Sequence, residues 1–279
     1  MVNASKSPET NESEQERESG GCVVIAFSNH KGGVGKTSCT VMAAQLYARA
    51  GLRVLVIDTD SQANSSEALC PSGVSPVELP SVEACLADLT KTEYCVVKSW
   101  HERIMLIASN IGSERPFPTS KSGNVSTPFI YRVDVDALRS VCERVKRHFD
   151  VILIDTAPSL SALTQAALRA ADAIVLPCSP AKHAVFGLPD VIDVASSVSE
   201  APHKILVTLT DARVRLDVIG RQQLFSRFDC VGEIPKISRL AENLYQKRYI
   251  LGRVDQEKAT AIQTVFDDIL AFARKAKTK

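Results

Sequence analysis

The sequence predicts an α/β fold, a doubly wound and mostly parallel sheet with helices on both faces. Three observations carry that expectation. Short apolar runs alternate with segments of helical spacing along most of the 279 residues. The runs are apolar on successive residues, as strands covered on both faces require. Three of them lead into glycines or carboxylates, and ligands of such sheets bind outside the carboxyl ends of the strands.

Residues 22–27 read as the first strand, and a helix over 36–50 follows from the spacing of Val41, Ala44, Leu46 and Tyr47. Further strands are expected at 53–57, 104–108, 151–154, 173–176 and 204–209, with helices at 134–148, 161–170, 184–197, 216–228 and 258–275. The stretch 112–128 is rich in Ser, Pro, Thr and Gly and reads as a long surface loop. Residues 1–20 hold five Glu against Lys6 and Arg17 and almost nothing apolar, so they read as a disordered polar tail. They have no apolar run of the kind a signal peptide needs. Residues 21–279 are then expected to form one domain.

Composition is that of a globular chain, 45% apolar and 23% charged, with formal net charge +1. The charge is uneven, since residues 201–279 carry 15 Lys and Arg against 9 Asp and Glu. The eight cysteines form no C-x-x-C pair, which argues for reduced thiols in a cytoplasmic protein and against a cysteine metal site. The five histidines also lack ligand spacing; His30 borders the loop described next and is read as shaping it.

Lys31-Gly32-Gly33-Val34-Gly35-Lys36-Thr37 lies between the first strand and the first helix. Gly35-Lys36-Thr37, followed by Ser38, closes the phosphate-binding pattern G-x-x-x-x-G-K-[ST]. In that pattern backbone N–H groups cradle phosphates, the lysine neutralises them and the hydroxyl ligates Mg²⁺. His30 stands where the first glycine belongs, and Lys31 supplies a second cation. Lys31 comes too early to serve the same phosphates from inside the loop, so its useful target is the nucleotide of a facing subunit. The strand ending in Asp155 has the Walker B form, a carboxylate that holds Mg²⁺ beside Thr37. Asp58 and Asp60 end the second strand and point to one side if the extension persists. One can position an attacking water while the other supports the metal.

These segments resemble the ParA branch of the deviant Walker ATPases. The resemblance rests on residues 29–38, on Asp58-Thr59-Asp60-Ser61-Gln62-Ala63-Asn64, and on Asp155-Thr156-Ala157-Pro158. It extends to the stretch from Pro177 to Leu188 and to Glu233-Ile234-Pro235-Lys236 followed by Arg239-Leu240-Ala241-Glu242. Ser61 stands where the family often has Pro, and Ser38 where it often has a second Thr. The resemblance implies a Mg²⁺-dependent ATPase that dimerises with ATP, binds double-stranded DNA without sequence preference and associates with the nucleoid. A ParB-like centromere-binding or cargo adaptor protein stimulates hydrolysis and so releases it. Lys31 is similar to the lysine acting across the dimer, and Asp60 to the residue that activates water. Asp58 and Asp155 are assigned with Thr37 to the metal, and Asp211 and Pro235 to the adenine. Arg213, Arg215, Arg221, Lys247 and Arg248 are the expected phosphate-contacting cations, as flexible charges indifferent to sequence.

The alternative is a positioning scaffold acting on a membrane or a protein complex. Against the membrane, Asp267 and Asp268 interrupt the polar face of the last helix, which reads as packing on the core. GTP is disfavoured because no Asn-Lys-x-Asp motif occurs.

Overall fold

Val23–Phe27 is buried along its whole length and forms β1, the strand from which the architecture is built. The computed structural model describes residues 21–109, 133–237, 240–252 and 254–278. The expected tail at 1–20, the expected loop at 112–128 and Arg239 lie outside the described residues. The other strands are β2 (Val54–Asp58), β3 (Val97–Lys98), β4 (Ile104–Ile107), β5 (Val151–Asp155), β6 (Ala173–Cys178), β7 (His203–Thr210) and β8 (Cys230–Pro235). They form one sheet in the order β3-β4-β2-β5-β1-β6-β7-β8, parallel except for the β3–β4 edge pair.

The helices are α1 (Lys36–Arg49), α2 (Asn64–Leu69), α3 (Val82–Ala87), α4 (Thr92–Cys95), α5 (Ala137–Val145), α6 (Ala162–Ala170), α7 (Lys182–Val198), α8 (Arg215–Arg227), α9 (Leu240–Tyr245) and α10 (Gln256–Lys277). Successive strand residues point to opposite faces, which divides the core in two. Val24, Ala26, Ile152 and Ile154 pack with α5 to α8 on one face. Val23, Ile25, Phe27, Val151 and Leu153 pack with α1 and α10 on the other. The doubly wound expectation therefore holds.

The last helix belongs to this second core. Ile262, Phe266, Ile269, Leu270 and Ala273 are buried, and the Tyr47 hydroxyl of α1 donates to the Phe266 carbonyl at 2.8 Å. No helix among the described residues is long and apolar enough to cross a membrane.

Two strands were not expected. β3 has only two residues, and β8 is an edge strand interrupted by Gly232 and Glu233, so neither shows a sustained apolar run. β6 runs past its expected end, through Pro177 to Cys178. Register sets up the site: Asp155 lies opposite Phe27 on one side and Asp58 on the other. Three strands thus end level at the carboxyl edge, where β1 feeds the phosphate loop.

Candidate nucleotide-binding site

The loop after β1 is pinned from below before any ligand enters. Asn29 donates from Nδ2 to the Pro177 carbonyl at 2.8 Å and accepts the Lys31 N–H at 2.9 Å. From β7, the Thr208 hydroxyl donates to the Val34 carbonyl at 2.8 Å. Gly35 adopts φ +88° as the chain turns into α1, a left-handed conformation that a side chain would strain. The loop N–H groups and the start of a fourteen-residue helix are thereby aimed at one place, as an anion requires.

Lys36 is buried, and its Nζ donates to the Lys31 carbonyl at 3.1 Å, closing the loop on itself. Burial lowers its proton affinity, while Asp155 and then Asp60 pull it back up. Asp155 is fully buried at the end of β5. Its Oδ1 accepts from Thr40 at 3.4 Å, whereas its Oδ2 has no hydrogen-bond partner. Burial, and next the Asp58 carboxylate, push its pKa well above the usual carboxylate range; Thr37 partly offsets the rise. An orphaned carboxylate oxygen facing a threonine hydroxyl fits a hard divalent cation such as Mg²⁺, which takes oxygen ligands.

Asp58 is tied into the turn that follows β2. Its Oδ1 accepts the Asp60 N–H at 3.0 Å, and its Oδ2 accepts both the N–H and the hydroxyl of Ser66 at 2.8 and 2.7 Å. Both oxygens are therefore engaged in folding the turn from β2 into α2. Asp60 lines the cleft beside the loop, and its Oδ1 accepts the Gln62 N–H at 2.9 Å.

The cleft has a volume of about 530 Å³ and is lined by Gly32, Gly33, Gly35, Lys36, Thr37, Ser38 and Asp60. Its far walls are Asn64 and Glu67 of α2, Leu209 of β7 and Leu244 of α9. Leu209 has φ +57° at an irregularity in the β7–β8 pairing, a conformation that nothing in the local sequence announces. Asp211 and Pro235 sit at the neighbouring β7–β8 ends but do not line this cleft. Asp211 is clamped by Arg213, which donates from Nε and a terminal nitrogen at 2.8 and 2.7 Å and holds the carboxyl well below its usual range.

Lys31 leaves the loop and lies across α7. A Cβ built on Gly187 would come within 3.2 Å of its Cε and 3.8 Å of the His30 ring. The second lysine thus packs on a neighbouring helix, while Lys36 serves the loop.

The basic residues are divided between the two faces. α8 packs on the first core, and the segment after α9 packs on the second. Arg215 is exposed with no ion pair among the described residues, and Arg213 is exposed beyond its contact with Asp211. Arg221 is held by Glu233 through two hydrogen bonds. Lys247 donates to Cys70 Sγ at 3.2 Å and to the Pro71 carbonyl at 3.0 Å. Arg248 is exposed, with its carbonyl tied to Gln45 at 3.3 Å. Arg221 and Lys247 are thereby occupied inside the molecule, and the pair that sequence spacing grouped with them is left as Arg213 and Arg215.

An AAA domain family model, AAA_31, matches residues 22–208, spanning the loop and both carboxylate strands. The chain belongs to the ParA family of P-loop ATPases. It is 29% identical to the sporulation initiation inhibitor protein Soj of Bacillus subtilis, over 78% of this chain and 86% of that one. It is 30% identical to the chromosome-partitioning ATPase Soj of Thermus thermophilus, over 78% and 83%. Its fold matches the septum site-determining protein MinD of Pyrococcus horikoshii, solved with Mg-ADP, with a TM-score of 0.70 at 19% identity over 91% and 98% of the two chains. The family thus includes a relative named as a chromosome-partitioning ATPase.

Proposed function

We propose that this ParA-family chain is an ATP- and Mg²⁺-dependent switch that dimerises over its nucleotides, binds double-stranded DNA without sequence preference, and lets go after hydrolysis. The observation that carries the reading is the division of the two lysines, with Lys36 buried in the loop and Lys31 laid across α7. ATP enters the cleft with its phosphates on the loop N–H groups of 32–37, and Lys36 exchanges the Lys31 carbonyl for phosphate oxygen. Thr37 and Asp155 hold Mg²⁺, which shields phosphate charge. Asp60 positions a water for in-line attack, held in its turn by Asp58 and Ser66. Lys31 reaches the nucleotide of the partner subunit, so that hydrolysis needs the dimer.

Arg213 and Arg215, doubled by a two-fold axis, supply cations on one face for phosphates of any sequence, while Arg248 lies on the other. A ParB-like adaptor is the class of partner that sets the rate, and the nucleoid is the place of action. The membrane reading loses support from α10, whose apolar face is buried against α1.

The test is fluorescence anisotropy on random-sequence duplexes with ATP, ADP or no nucleotide, beside pelleting with anionic vesicles. Binding to duplex only with ATP supports the reading. Equal affinity in all three states, or pelleting without duplex binding, overturns it in favour of the positioning scaffold.

A further inference from the structure

One peptide of the phosphate loop is free to face either way, and a residue outside the sequence motifs decides between the two. Gly35 holds φ +88° at the end of the loop. Glycine occupies positive and negative φ about equally well, so the Val34–Gly35 peptide can rotate end over end at small local cost. The unit is planar and trans, so its C=O and N–H point in opposite directions. Whichever group faces the cleft, the other faces the protein. The choice matters to a phosphate, which an N–H attracts and a carbonyl oxygen in the same place repels.

The carbonyl is held from β7. The Thr208 hydroxyl, 174 residues along the chain, donates to the Val34 oxygen at 2.8 Å, and the side chain is buried. A Cβ built on Gly35 would lie 4.0 Å from the Thr208 Cβ, so β7 and the loop run close at this point. With the Val34 carbonyl turned toward β7, planarity turns the Gly35 N–H the other way, and Gly35 is a residue that lines the cleft. The Lys36 ammonium acts elsewhere in the loop, on the Lys31 carbonyl.

We propose that Thr208 is a positioning residue for phosphate, its hydroxyl locking the Val34–Gly35 peptide with the N–H toward the cleft. This rests on the nucleotide reading above and adds to it a residue from β7. Thr208 touches no phosphate itself; it acts through the peptide it holds. The group it serves is the polyphosphate end of a nucleotide and not the base or ribose, so inorganic pyrophosphate should feel its loss as ATP does.

The experiment displaces a fluorescent ATP analogue with unlabelled ATP or with inorganic pyrophosphate, in Mg²⁺, from wild type, Thr208→Val and Thr208→Ser. Valine keeps the shape of threonine without the hydroxyl, and serine keeps the hydroxyl without the methyl. In Thr208→Val both competitors are expected to weaken by the same factor, roughly 10-fold, the low end for one hydrogen bond to a charged group. Thr208→Ser is expected to stay near wild type for both, because the hydroxyl is restored.

Unchanged ATP affinity in Thr208→Val, or an equal loss in Thr208→Ser, overturns the proposal while leaving the nucleotide reading intact. So does a loss confined to ATP, which moves the defect to the nucleoside. Pyrophosphate that displaces nothing even from wild type also counts against it, since the loop would then not hold phosphate by itself. Wild type from which ATP displaces no analogue sinks both readings.

Discussion

Lys36 and Lys31 differ in what surrounds them, and substitution reads that difference out. Lys36→Ala removes the buried counter-charge of the loop, a loss of about 2–5 kcal/mol for a charge-assisted contact, so ATP affinity falls roughly 30-fold or more by titration calorimetry. Lys31→Ala, whose side chain lies over Gly187, is expected to keep nucleotide affinity within several-fold and to lose ATP-dependent dimerisation on sizing chromatography. Retained dimerisation and normal hydrolysis in that variant would remove the cross-subunit role. The carboxylates separate in the same way. Asp60→Ala binds Mg²⁺-ATP and stays dimeric without turnover, whereas Asp155→Ala loses the Mg²⁺ enhancement of binding.

Asp58→Ala leaves the Asp60 and Ser66 groups unpaired, so its main effect is a lower melting temperature, from about 1–3 kcal/mol per stranded buried group. A variant as stable as wild type but unable to use Mg²⁺ would make Asp58 a metal residue first and a structural one second. Titration gives a further test. Burial raises Asp155 above its ordinary range, so in the absence of metal the native state holds a proton that the unfolded chain has released. Its contribution to stability is full below the unfolded value and is lost as pH rises through the folded one. The metal-free protein should therefore lose stability from the ordinary carboxylate range toward neutral pH in chemical denaturation, and Mg²⁺ with nucleotide should offset that loss. A metal-free stability that rises over the same window would contradict the account.

Between elements, α8 comes close to the segment that follows β6. A Cβ on Gly220 would lie 2.0 Å from the Pro180 carbonyl oxygen, backbone that cannot swing away as a side chain can. Gly220→Ala must push α8 off the sheet, and overpacking of this kind costs about 1–3 kcal/mol or more. Because Arg215 opens α8 and Arg213 lies just before it, the same variant should weaken duplex binding while leaving nucleotide affinity near wild type. A melting temperature unchanged from wild type would show that α8 is not seated on Pro180. Gly35→Ala acts on a different link, since its φ of +88° strains any side chain and misdirects the loop N–H groups.

At the scale of the molecule, DNA binding depends on how many cations one face collects. If a dimer neutralises about five phosphates, log K falls against log salt with a slope near −4 to −5. Arg215→Ala should reduce that slope by about one unit with no change in sequence preference. Arg221→Ala should leave it alone and cost stability instead, because Arg221 is paired with Glu233. A slope change in Arg221→Ala equal to that in Arg215→Ala would mean that the internal pair opens on DNA.

What the sequence determined is what short-range chemistry dictates. Apolar runs and helical spacing gave the doubly wound sheet, and the loop from Lys31 to Ser38 with Asp58, Asp60 and Asp155 marked its functional edge. Those features survive because a strand buried on both faces and a glycine-bearing phosphate loop each impose a local residue pattern. The tertiary structure decided the rest, where partners come from distant segments. Asp58 is taken by Ser66, Arg221 by Glu233 and Lys247 by Cys70 and Pro71, and no spacing rule foretells which cation or carboxylate is left free. Leu209 and Leu244 close the cleft from β7 and α9, elements brought to the loop only when the sheet and its helices assemble. Charge and polarity are properties of a residue, but availability is a property of its neighbours, and those neighbours are set by the fold.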